Sequence, residues 1–153
     1  MRRIIPTVAV VGALLAGASS ASAVMSAHTV CGARCGTFEA SNARGALTIA
    51  ANGVAWGRVG SGTIMLLDRT SPGGRDWSVS GARGTRVAGT NWWTFTGRNL
   101  SFSATNRWTI RIRKAHGVYM TAVAAGWVHV PVAGSFTING SHVGGGARYA
   151  LHS

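Results

Sequence analysis

From Trp108 to Arg113 the chain alternates without a break: Trp108, Ile110 and Ile112 are apolar, while Thr109, Arg111 and Arg113 are polar. A period of two puts successive side chains on opposite faces of a strand. This segment therefore predicts a sheet with one packed face and one wet, basic face. Shorter runs with the same texture cover 46–50, 54–59, 77–80, 92–96, 100–103, 118–123, 127–132 and 136–138. The run 63–67 is apolar almost throughout, which predicts a central strand covered on both faces. Between the runs stand the signals of turns. Asn52-Gly53 and Asn139-Gly140 are hairpin dipeptides, Gly97-Arg98-Asn99 separates two runs, and Ser71-Pro72-Gly73-Gly74 marks a loop.

The fold class that follows is all-β, a small antiparallel β-sandwich or barrel of about eight to ten short strands. The composition agrees. The chain has 22 glycines, which oppose helices through backbone entropy and missing side-chain contacts. Trp56, Trp77, Trp92, Trp93, Trp108 and Trp127 are expected to supply much of the core's buried area.

The N-terminus reads differently. Met1-Arg2-Arg3 is a short positive region, residues 4–17 are almost continuously apolar, and 19–23 reads SSASA with small residues at Ala21 and Ala23. This is the layout of a secretory signal peptide cleaved after Ala23. The apolar run is about 14 residues, short of the roughly 20 needed to cross a bilayer, and no later run approaches that length. Cleavage leaves about 130 residues, suited to one domain. Residues 24–44 are expected to form an N-terminal arm, 45–143 the glycine-rich β domain and 144–153 a C-terminal tail. The expected location is secreted, with association to the cell surface.

Charge then narrows the partner. The 153 residues carry 15 Lys and Arg against 3 Asp and Glu, a formal net charge of +12, and Lys114 is the sole lysine. Arginine presents a planar fork of donors suited to phosphate and carboxylate groups. Arg98, Arg107, Arg111 and Arg113, with Trp92 and Trp93, are the candidate binding residues. An anionic envelope polymer, or a polysaccharide stacked on tryptophan, is the expected partner. The same surface would suit single-stranded nucleic acid, but export takes the protein away from it. Apolar strands such as 63–67 also raise self-association through exposed edges.

Cys31 and Cys35 are the two cysteines. In an oxidising compartment they are expected to form a local disulfide that staples the arm. Their spacing does not match a redox-active pair, and with only His28 nearby they do not make a metal site.

Little in the chain points to catalysis, and neither a catalytic residue nor a cofactor is assigned. The acids are Glu39, expected in the N-terminal arm, and Asp68 and Asp76, which flank one loop. His28, His116, His129, His142 and His152 are scattered without ligand or triad spacing. The segment 57–62, GRVGSG, lacks the lysine and helix of a phosphate loop and reads as a hairpin or bulge. The alternative function is a small wall-active or degradative hydrolase using Asp68 and Asp76 with a histidine.

The segments 108–113, 117–124 and 126–128 resemble stretches in small uncharacterised secreted β-rich proteins of GC-rich Gram-positive bacteria. That resemblance implies a secreted β-domain and carries over no catalytic residue. The functional expectation is a non-enzymatic β-domain with a binding or structural role at the cell envelope.

Overall fold

The computed structural model of the protein describes residues 27–68 and 75–153. The expected signal peptide, 1–23, and the Ser71-Pro72-Gly73-Gly74 loop lie outside the described residues. The chain is all-β and antiparallel. After a helical turn at 27–31 and a 3-10 turn at Gly32–Arg34 come β1 (Gly36–Leu67), β2 (Trp77–Ser80), β3 (Thr85–Arg86), β4 (Trp92–His129), β5 (Ala133–Ile138), β6 (Ser141–Val143) and β7 (Arg148–Leu151). They form one seven-stranded sheet in the order β2-β4-β1-β5-β6, with β3 and β7 also on β4. No helix among the described residues is long and apolar enough to cross a membrane.

The strands are fewer and longer than the pattern suggested. β1 has 32 residues and β4 has 38, and most of the short runs lie inside these two. The pair behaves as one long ribbon wound on itself. Met120 of β4 pairs with Ala40 on one side and with Gly57 on the other, and Gly57 in turn pairs with Phe102. Over 48–66, most positions of β1 have a β4 residue on both flanks. Residues 63–66 are therefore interior to the sheet, but the run is not covered on both faces as expected: Ile64 and Leu66 are buried, while Thr63, Met65 and Leu67 are half-buried on the outward side.

Ribbons this long must bend, and the bends sit where the backbone turns left-handed. Asn42 (φ 52) separates inward Ala40 from inward Ala43; Asn99 (φ 52) separates Phe95 from Leu100. Lys114 (φ 50) and Gly117 (φ 63) do the same between Ile112, Ala115 and Val118. In each case the inward parity shifts by one, which is what an inserted residue does to a strand of period two. Asn42, Asn99, Lys114 and Gly117 are thus corners, and sequence patterning alone reads such corners as strand ends.

Asn52-Gly53 is not the expected hairpin turn but part of the interior of β1. Gly53 has φ 152, and a Cβ there would lie 2.6 Å from the Cα of Ala124. Glycine is required here for close strand approach. Asn139-Gly140 is a true turn, with φ 50 and 77, joining β5 to β6. The GRVGSG segment likewise runs inside β1.

The core is one cluster on the inward side of the wound sheet. Phe38, Leu47, Ile49, Ile64, Leu66, Leu100, Trp108, Ile110, Ile112 and Phe136 are all fully buried in it. Trp108 is the one tryptophan among these core residues, at 1% exposure. Trp77 and Trp93 pack at the core's margin, and Trp56 packs on a smaller cluster of Ala27, Val54 and Val123. The expectation that tryptophans dominate the core is met by Trp108 alone; branched aliphatic residues provide most of the rest.

Both ends of the described chain join this sheet. Residues 36–44 belong to β1 and pair with β4 and β5, so the arm ends at Cys35 and not at Arg44. At the other end β7 pairs with β4 from Gly126 to His129, and Leu151 is fully buried. The residues expected as a tail are held because Leu151 has apolar surface to bury and β4 has free backbone groups to pair. Cys31 and Cys35 form the expected disulfide, with Cα atoms 5.4 Å apart. Their loop meets the C-terminal residues: the Ser153 hydroxyl donates to the Ala33 carbonyl and the Ser153 amide to that of Arg34.

Candidate functional site

Paired residues on neighbouring strands project to the same side of a sheet, so the register fixes which side chains share a face. One line of outward positions runs Thr94, Met65, Arg111, Thr48, His129, Arg148 across β4, β1, β4, β1, β4 and β7. Next to it lie Thr96, Thr63 and Arg113, and on the other flank Trp92 beside Leu67, and Thr109 beside Ala50 and Trp127. Arg98 and Arg107 extend the same face through their partners Ser61 and Asn52. Neighbouring strands stand about 4.8 Å apart, so Arg111 and Arg148, three strands apart, are separated by roughly 14 Å.

Two aromatic stacks organise the charge. The guanidinium of Arg111 lies 4.5 Å from the centroid of Trp92, and that of Arg148 lies 3.9 Å from that of Trp127. A cation over an indole face gains about 0.5–1 kcal/mol at an exposed site. The consequence for recognition is geometric. A stacked guanidinium keeps its N–H groups in its own plane, where they remain free to reach an anion. Arg98, Arg107 and Arg113 are exposed on the same face. With 15 basic residues against 3 acids, most guanidiniums have no carboxylate of this chain to neutralise them.

Five of the six residues expected from sequence, Trp92, Arg98, Arg107, Arg111 and Arg113, occupy this face. Trp93 does not. Adjacent strand residues point to opposite sides, and Trp93 turns toward Trp77, 6.2 Å between ring centroids, with Arg75 stacked 3.9 Å above it. Sequence reasoning missed Arg148 and Trp127. The one sits in what reads as a tail, and only the β4–β7 register brings the two together.

A second outward region lies beyond the corner made by Gly60, Asn99 and Gly117. Here a depression of about 580 Å³ is lined by Glu39, Ser41, Trp56, Arg58, Tyr119 and Thr121. Trp56 pairs with Thr121, Thr121 with Glu39, and Arg58 with Tyr119. Arg58 stacks 4.6 Å from the Tyr119 ring, which is 38% exposed. Glu39 accepts a 3.4 Å hydrogen bond from the Thr137 hydroxyl. Glu39 thus stands in the sheet, not in the arm.

The other two acids are held apart. The Asp68 amide donates to the Asn91 carbonyl, and the Asp76 carbonyl accepts from the amide and hydroxyl of Thr105. They sit at opposite ends of the first half of β4. Among the described residues no three His, Cys, Asp or Glu side chains are grouped as a metal ion would need. His129 is exposed on the arginine face, in line with Thr48 and Arg148.

No family model, curated protein or solved structure matches this chain.

Proposed function

We propose that the protein acts outside the cytoplasm as a non-enzymatic binding or structural β-domain, laying its arginine–tryptophan face on an anionic polymer of the cell envelope. The observation that carries this reading is the pair of stacks, Arg111 on Trp92 and Arg148 on Trp127, on one face of one sheet. Stacking holds each long side chain in place before a ligand arrives, which lowers the ordering cost of binding. A set of guanidiniums on a fixed strand lattice suits a polymer with repeated phosphate or carboxylate groups better than a single small anion. Secretion is inferred from residues 1–23, whose pattern is that of a signal peptide. The resemblance to secreted proteins of Gram-positive bacteria points the same way.

Co-sedimentation of residues 24–153 with isolated cell envelope, at low and at high salt, tests the reading. Binding that falls steeply as salt rises supports a contact led by arginine. Absence of binding at low salt rejects it.

A further inference from the structure

We propose that the depression lined by Glu39, Ser41, Trp56, Arg58, Tyr119 and Thr121 is a second binding site, and that its ligand is an uncharged oligosaccharide. The site is independent of the arginine face and does not rest on its role.

The charge of the depression sets it apart. In a chain of net charge +12, one of only 3 acidic residues is placed here. Glu39 and Arg58 are both outward, two strands apart with the 119–121 segment of β4 between them, and they bring opposite charges to the same hollow. Arg58 is also drawn down onto Tyr119. The local balance is therefore neutral while most of the surface is cationic. An anionic polymer gains little from such a spot. A neutral ligand with many hydroxyl groups gains from both members of the pair, since the carboxylate accepts and the guanidinium donates.

The remaining side chains fit that class. Trp56 offers ring surface of the kind that covers the C–H face of a pyranose, while Tyr119, one face of whose ring Arg58 covers, offers its ring edge and hydroxyl. Ser41 and Thr121 add hydroxyls that both donate and accept. Trp56 and Glu39 are two strands apart, and Arg58 stands two residues along β1 from Trp56. The lattice thus spans about 10 Å by 7 Å, room for one or two sugar rings lying flat. Trp56 also packs against the Ala27, Val54 and Val123 cluster beside it on the same face, so its ring is positioned before binding.

The test is titration calorimetry of residues 24–153 with cellotetraose, chitotetraose and mannotetraose, at low and high salt. At least one of the three should bind, with an affinity that salt leaves nearly unchanged. Glu39→Gln, which keeps the side chain's size, should weaken that binding about tenfold or more, the value of a hydrogen bond to a charged group. Trp56→Phe should weaken it as well, and Arg111→Gln should leave it intact. Failure of all three sugars to bind overturns the proposal. So does sugar binding that Glu39→Gln leaves unchanged, or that disappears at high salt. Envelope binding led by Arg111 can survive any of these outcomes, so the two readings fail separately.

Discussion

The indole Nε1 of Trp108 donates a 3.1 Å hydrogen bond to the carbonyl oxygen of Gly53. This contact ties the largest core side chain to a glycine whose missing Cβ leaves room for the paired 123–124 backbone. Its removal should therefore cost more than the lost ring area. Trp108→Phe leaves a buried carbonyl without this partner and opens a cavity, with an expected loss of about 2–4 kcal/mol. Urea unfolding of the variant and parent, followed by circular dichroism, measures it.

Gly53 itself admits no side chain. With φ 152 and Ala124 Cα 2.6 Å from a built Cβ, Gly53→Ala forces neighbouring strands of the ribbon apart. The expected loss is about 2 kcal/mol or more, well beyond an ordinary Gly→Ala change on a strand. A variant as stable as the parent would show that the two passes of the ribbon are not in contact here.

These residues also show what could be read in advance. The strand 108–113 was legible because Trp108, Ile110 and Ile112 share the dry face while Arg111 and Arg113 reach the wet one, although Thr109 on the outward side is also buried. The Asn139-Gly140 turn was legible because the sequence needs φ above zero twice in a row. Asn52-Gly53 carries the same dipeptide and misleads, since glycine answers equally to a turn and to a close strand approach. The corners at Asn42, Asn99 and Lys114 misled likewise, making two long strands look like many short ones. At the arginine face, local alternation placed Arg111 and Arg113 and would have separated Trp92 from Trp93. No local pattern shows that Arg148 reaches Trp127, or that Glu39 lies two strands from Trp56. Those relations come from pairings between residues far apart in the chain.

The disulfide loop should matter to the N-terminal segment and little to the core. Closing so short a loop removes about 2 kcal/mol of unfolded-chain entropy. Cys31→Ser with Cys35→Ser should lower stability by about that amount and leave the β-sheet signal intact. Hydrogen exchange should quicken first near Ala33, Arg34 and Ser153, where the loop meets the chain's last residue.

Asn139 joins three segments. Its side chain accepts from the Thr37 amide at 2.8 Å and donates to the His152 carbonyl at 2.8 Å, while its backbone holds φ 50. Asn139→Ala loses both bonds and strains the left-handed turn, for an expected 2–3 kcal/mol, about twice a single net hydrogen bond. Asn139→Asp keeps the acceptor and should recover part of that loss in the same unfolding assay.

The arginine–tryptophan face is tested most directly by removing its two stacked cations together. Arg111→Gln with Arg148→Gln should weaken low-salt binding to isolated envelope at least about tenfold, as expected for losing two charge-assisted contacts. It should also flatten the salt dependence. The control is Arg34→Gln with Arg83→Gln, which removes the same charge at exposed positions outside the paired strands and should lose far less. Equal loss in both double variants would show that net charge alone drives binding, and would contradict a site built from Arg111, Trp92, Arg148 and Trp127.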